Sequence, residues 1–400
     1  MRTSQKLTIT ACLTGFVVQA IVINYSPLLF LTFENELGIS MAKISLLISI
    51  SFITQLLMDL TASRLPHLFS KRVTIVMGQV CAALGLMGIA LLPSVLPPYV
   101  GLIIGTTVAS VGGGIIEVTG NPVIESCNIK NKHAILTFMH SCYCWGVVLT
   151  VLLSTVFFYL LGTEHWRLLS CLWAAIPACN AVLFAIAPLG EITAAPDRSK
   201  RKRSAFRTFT FWALIVLMLC AGAAEQVMAQ WASSFAEMGL GVDKTMGDIL
   251  GPCAFALLMG LARLLYAKFS TKIDLSKCMI ATSVLCIVGY LLSAFSPFPA
   301  LSLVGCAVCG FSVGLMWPGT LCIATERIPD GGVKMFALLA LAGDAGCAIG
   351  PSAAGWIAGA LGDDLKIAFA LSTVFPLLII VFAALLMLRD KRRKAASIKK

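Results

Sequence analysis

Four carboxylates stand inside otherwise apolar runs of this sequence: Asp59, Glu117, Glu225 and Asp344. A charge at the centre of a lipid layer costs about 2.5 to 3.5 kcal/mol, so such groups face a protein interior or a wet cavity, where they can exchange protons or hold polar solutes. Glu117 and Asn121 are four apart and share a helix face, which sets a carboxylate and an amide toward one hydroxyl-bearing ligand. The structural alternative is a helix-packing carboxylate near a membrane surface. Glu225 and Gln226 stand mid-run, with Gln230 one turn after Gln226 and Trp231 beside it. They read as a solute or proton contact, or as an interhelical hydrogen bond worth about 0.6 kcal/mol. Asp344 lies in Gly343-Asp344-Ala345-Gly346, where Gly346, Gly350 and Gly355 permit close backbone approach; a functional acid and a purely structural one fit equally. Asp59 follows Gln55 by one turn and precedes Arg64, Lys71 and Arg72, the pattern of a gate or helix clamp.

His140 and Tyr143 share a face with Val147. An imidazole titrating near neutral pH can relay protons, and it can equally be a satisfied hydrogen-bonding residue. Asn24 and Gln19 add amides to the first apolar run, and Tyr25, Tyr143, Trp231 and Trp317 could stack on a sugar ring or simply pack. Trp166 reads as a membrane-interface residue. The sequence has no phosphate-binding Gly-x-x-x-x-Gly-Lys, no His-Glu-x-x-His and no Gly-x-Ser-x-Gly. ATP is therefore not expected to drive work within this chain, the absences argue against the common hydrolase mechanisms, and no metal or cofactor is expected.

The elements that must position these groups are membrane helices. Hydrophobic residues make up 58% and charged residues 12% of the 400, with a mean hydropathy of +0.92, far from soluble composition. Apolar runs at 7–33, 44–62, 73–92, 99–122, 134–161 and 168–187, then 211–235, 249–267, 278–295, 301–324, 336–361 and 367–388, predict twelve spans. The first is too long for a signal-peptide core and lacks a cleavage pattern, so it is expected to remain as a span. With both termini cytoplasmic, twenty-five of the 30 Lys and Arg fall on the inner side, and only Lys43, Arg167, Lys244 and Lys366 fall outside. Arg263 is expected near the inner end of the eighth span, within snorkelling reach of the surface. The net charge of +11 is thus a topology signal rather than a nucleic-acid footprint. The 15 cysteines lie almost all in apolar runs, and no disulfide is expected.

The basic cluster from Arg198 to Arg203 marks a join at mid-chain. Across an offset of about 200 residues, Arg64-Leu65 recurs as Arg263-Leu264, Gly15-x-x-x-Gln19 as Gly222-x-x-x-Gln226, and Asn121-Pro122 is echoed by Trp317-Pro318. The expected organisation is all-α: a six-helix bundle over 1–187, a basic linker over 188–208, a second, pseudo-symmetric six-helix bundle over 209–388, and a basic tail over 389–400. The repeat also predicts that Gln19 and Gln226 face one another across the pseudo-twofold axis.

Twelve spans, a basic central loop and repeated basic patches after the second and eighth spans resemble the major facilitator superfamily over the whole chain. The run from Gly112 to Pro122, with Glu117 four residues before Asn121, looks like the fucose/proton symporter branch. That resemblance implies a multi-pass carrier of the cytoplasmic membrane, not an enzyme, moving a small polar solute such as a sugar by proton-coupled alternating access. Its expected partners are solute, protons and lipid, with no nucleic acid, and its expected state is a monomer. Glu117 would be the leading proton-coupling acid. Ser26 falls where the branch carries an acid, so the second coupled group is expected at Glu225 and then at Asp344. The site would lie between spans one, four, five, seven, ten and eleven, gated by Asp59, Arg64, Lys71, Arg72 and Arg263. A drug or metabolite/proton antiporter and a non-transporting membrane sensor or enzyme are the rival readings.

Overall fold

Long apolar sequences in lipid must satisfy every backbone group internally, and this chain does so with helices. A computed structural model describes residues 3–61, 70–126, 132–189, 208–269, 274–328 and 332–398. Among these are twelve helices long and apolar enough to cross a membrane. In order they are Gln5–Leu37, Met41–Met58, Arg72–Val95, Pro98–Gly120, Ser141–Leu161 and Thr163–Ile186, then Phe209–Gly239, Lys244–Tyr266, Leu275–Phe295, Pro299–Arg327, Met335–Ala360 and Leu365–Arg389. An even number of spans returns both termini to one end of the bundle. The opposite end, carrying the connections around residues 40, 97, 162, 241, 297 and 362, is called the distal end below.

Small residues decide which helices approach closely, because lipid tails supply no hydrophobic drive to associate and packing must come from backbone proximity. The third and fourth spans meet along Gly85, Gly105 and Gly112; a Cβ on Gly105 would stand 2.5 Å from the Ile89 nitrogen. The seventh and eleventh meet where Gly346 abuts the Leu219 carbonyl and where a Cβ on Gly350 would stand 2.8 Å from the Ala223 Cα. Leu153, Tyr159, Leu160, Val182, Trp212 and Phe295 remain exposed, an apolar surface suited to acyl chains.

Several helices are locally broken. The first passes through a 3₁₀ turn at Ser26–Leu29, where Pro27 lacks the N–H that would continue the α ladder. A π turn at Phe235–Gly239 ends the seventh span, and another at Ile249–Cys253, containing Pro252, follows the first turn of the eighth. The tenth is divided between Pro299–Val313 and Met316–Arg327. The last helix runs on through Ile398, so the basic tail expected from residue 389 continues it.

At the distal end the first and last six spans are joined. Ser49 and Ser352 share a hydrogen bond of 2.6 Å between the second and eleventh spans. The Phe30 and Trp231 rings meet at 5.3 Å. Gln230 Nε2 donates to the Ile23 carbonyl at 3.4 Å.

Candidate functional site

The broken turns of the first and eighth spans bring polar side chains to a cleft between the two sets of six helices. It has about 420 Å³ of free space, counting the part open to solvent. Its walls are Asn24, Pro27 and Leu28 of the first span, Tyr143, Val147 and Val151 of the fifth, Glu225, Gln226, Ala229 and Ser233 of the seventh, and Pro252, Phe255 and Met259 of the eighth. Asn24 Nδ2 is held by the Ala20 carbonyl at 3.0 Å and reaches the Tyr143 hydroxyl at 3.3 Å. Gln226 Oε1 accepts from Gln230 Nε2 at 3.3 Å.

Glu225 is buried, and its carboxylate is met by Arg263 Nη2 at 3.4 Å. A carboxylate taken out of water needs such a partner or a proton. The Arg263 Nη1 donates to the Cys144 thiol at 3.2 Å, which links the eighth span to the fifth. Arg263 therefore points inward to the cleft region and does not snorkel toward a membrane surface, because the buried acid on the neighbouring helix is the stronger partner. Close by, the Cys347 thiol of the eleventh span lies within electrostatic reach of Asp344, Glu225 and Glu117. Of the three acids expected to couple protons, Glu225 lines the cleft.

Other expected site residues take different places. Gln19 Nε2 donates to Glu117 Oε2 at 2.5 Å, so this amide packs within the first six spans and makes no hydrogen bond to Gln226. The symmetry expectation for that pair is corrected: a carboxylate one helix away holds Gln19 more strongly than a neutral amide across the axis could. Tyr25 is fully buried, bonded to the Trp166 carbonyl at 3.0 Å and to Ser170 Oγ at 2.8 Å, which pins the first span to the sixth and leaves the ring no cleft face. Trp231 is also fully buried and donates to the Pro351 carbonyl at 2.8 Å, where it serves the distal junction. The six-membered ring of Trp317 abuts Gly343, filling the seam between tenth and eleventh spans. Trp166 is completely buried, with its indole N–H on Glu36 at 2.8 Å, rather than exposed at an interface.

Arg72 was expected at a gate. Its guanidinium instead donates to the carbonyls of Ala185 and Ala187, the latter at 2.9 Å, capping the end of the sixth span, where a cation offsets the helix dipole. Arg64 lies outside the described residues, as do the side chains of Asp59, Lys71, Asn121 and His140. The described cysteines are free thiols.

Two positions escaped the sequence reading. Lys244 and Asp248 fall in what hydropathy marks as a loop before residue 249, yet they begin the eighth span, and Asp248 is completely buried. The signal was present as a Lys-x-x-x-Asp pair at helical spacing, seven residues after Glu237.

A membrane bundle of twelve helices enclosing a polar, ionisable cleft between its first and last six is the architecture of a solute carrier. The model of the Major Facilitator Superfamily matches residues 11–260 and 252–400, and the chain belongs to that superfamily. It is a membrane transporter and not an enzyme. Solved structures of similar fold include a bacterial homologue of the human lysosomal transporter Spinster in an inward-facing, occupied conformation, at TM-score 0.75 and 14% identity over 98% of each chain. The nucleoside transporter NupG matches at TM-score 0.74 and 13% identity, over 95% of this chain and 99% of its own. The fucose:proton symporter FucP of E. coli matches at TM-score 0.63 and 15% identity, over 96% and 99%. Comparison with curated protein sequences gives no match.

Proposed function

We propose that this transporter is a secondary active carrier that moves a small polar solute, a sugar or similar polyhydroxy compound, together with protons by alternating access. The observation that carries the reading is the composition of the central cleft. Asn24, Tyr143 and Gln226 offer neutral donors and acceptors for hydroxyl groups, Pro27 and Phe255 offer an apolar wall for a ring's C–H face, and Glu225 sets an ionisable group among them. The Arg263 partner gives Glu225 two ways to be neutralised, by ion pair or by proton, and exchange between them is what coupling to solute requires. FucP, a fucose:proton symporter of the same fold, supports the sugar and proton assignment by analogy.

In this reading, residues 1–187 and 209–388 rock against each other about the cleft, with both termini and the basic linker in the cytoplasm and the protein in the cytoplasmic membrane. A nucleoside is the second reading, favoured by Val147, Val151 and Met259, which give the cleft more apolar surface than a bare sugar needs.

The test is a thermal-shift screen of the purified protein against hexoses, deoxyhexoses and nucleosides, followed by uptake of the stabilising solute into proteoliposomes. A sugar that stabilises the protein and accumulates against its gradient only when a pH gradient is imposed supports the proposal. Accumulation independent of that gradient removes the proton coupling, and stabilisation by nucleosides alone moves the substrate to the second reading.

A further inference from the structure

At the distal end, three charged side chains are packed where the seventh span ends and the eighth begins. Lys244 Nζ lies 3.1 Å from Glu237 Oε1 and 3.3 Å from Asp248 Oδ2. Asp248 has no exposed surface. Its Oδ1 accepts from Ser233 Oγ at 2.5 Å, and Oδ2 meets the ammonium as an ion pair. The shortest contact of Lys244 leaves this cluster altogether: Nζ donates to the Leu28 carbonyl at 2.7 Å, across the boundary between the two sets of six spans. That carbonyl belongs to the 3₁₀ turn at Ser26–Leu29.

The titratable groups facing Asp248 are Lys244, Glu237 and the Cys253 thiol. From the fifth span come Thr155, beside Asp248, and the Phe158 ring, 5.7 Å from Lys244 Nζ; from the first span comes the Leu28 carbonyl, and none of these three titrates. Two carboxylates and one ammonium leave one excess negative charge in a volume from which water is largely excluded. Burying a net charge is unfavourable, and a single proton removes it.

We propose that Asp248, Glu237 and Lys244 form a proton-binding site that holds the distal end shut, with Lys244 as the latch onto Leu28. With one proton bound, one carboxylate pairs with Lys244, the other is neutral, and the packed junction carries no net charge. Loss of that proton restores the excess charge, which is relieved when the helices part and water reaches both acids. Acid pH therefore favours the closed distal end and alkaline pH favours its opening. The inference rests on the alternating-access reading and adds a proton site that is separate from Glu225.

Cys253 reports the closure. Its thiol is buried in a cluster with Leu28, Val147 and Val151, contributed by the first and fifth spans, so separation at this end uncovers it. The full-length protein, in lipid nanodiscs without solute, is treated with a hydrophilic maleimide from acid to alkaline pH. Labelling is read by peptide mass spectrometry and normalised to the labelling of the same thiol in the denatured protein at the same pH. Normalised labelling of Cys253 is expected to rise about tenfold with pH, the signature of a modest population shift. Asp248→Asn, which imitates the protonated acid, should stay low at every pH; Lys244→Met should label at every pH; Lys244→Arg should keep the pH response. Flat labelling of the unmodified protein, or a Lys244→Met variant that labels as the unmodified protein does, overturns the proposal. If Asp248→Asn does not fold, the titration of the unmodified protein decides alone. The assay contains neither solute nor gradient, so a failure of the uptake experiment is distinguishable from a failure here.

Discussion

Glu225 and Arg263 test the chemistry of the cleft most directly, because each leaves the other compromised when removed. Arg263→Met strands a buried carboxylate, at a cost of up to about 3 kcal/mol; the low end of the range applies because Arg263 keeps 25% side-chain exposure. Thermal unfolding should show Arg263→Met well below the unmodified protein, Glu225→Gln less affected, and the double variant recovering part of the loss. Equal additive losses would mean that the two groups do not interact. In proteoliposomes, Glu225→Gln should preserve solute counterflow and abolish accumulation driven by a pH gradient; retained accumulation would take Glu225 out of the coupling. The repeated glutamines separate in the same way. Gln226 lines the cleft and Gln19 holds Glu117, so Gln226→Ala should weaken solute binding about fivefold to tenfold, near the value of one net hydrogen bond, and Gln19→Ala should change it little. A calorimetric titration with the solute decides between them. At this scale the sequence was informative about residue type and misleading about direction. Helical spacing placed Glu225, Gln226 and Gln230 correctly on one stretch, but nothing in spacing reveals that Tyr25 and Trp231 spend their polar atoms on the carbonyls of Trp166 and Pro351.

Helices were legible because lipid enforces a long apolar run for every crossing, and the twelve runs read from hydropathy coincide with the twelve helices to within a few residues at most ends. The exceptions are instructive. Hydropathy began the eighth span at residue 249 because Lys244 and Asp248 are polar, although their mutual neutralisation lets them enter a buried helix. The interruption at Ser26–Leu29 carries a signal in Pro27, to which hydropathy is blind, and the turn at residues 314–315 leaves the apolar run unchanged. The glycine seams give this scale its own prediction. Gly346→Val drives a side chain into the Leu219 carbonyl, so the variant should lose about 1–3 kcal/mol or fail to fold, as read by fluorescence-detected size exclusion after heating. Gly359→Ala, whose added carbon would stand 3.6 Å from the Ala42 nitrogen, should behave as the unmodified protein does. Equal tolerance at both positions would show that the seam does not depend on backbone contact.

For the molecule as a whole, the distal junction is the feature that alternating access must break. Ser49→Cys with Ser352→Cys places two thiols where hydroxyls now touch at 2.6 Å across the boundary. The oxidised double variant should lose uptake and regain it on reduction; undiminished transport in the cross-linked protein would mean that this junction stays closed throughout the cycle. The charge bias adds a topological expectation: a thiol introduced at Asp243 should react with an impermeant reagent from outside intact cells, and one at Lys202 should not.

The junction also bears on how this protein can drift over generations. The acceptor that Lys244 grips at position 28 is a main-chain oxygen, which every amino acid supplies, whereas the donor is one particular side chain. Exhaustive substitution under selection for uptake should therefore accept any apolar residue at position 28 that fits its buried surroundings, while position 244 tolerates little beyond Arg. One half of the contact would leave a record in the genes of descendants, and the other half would leave none.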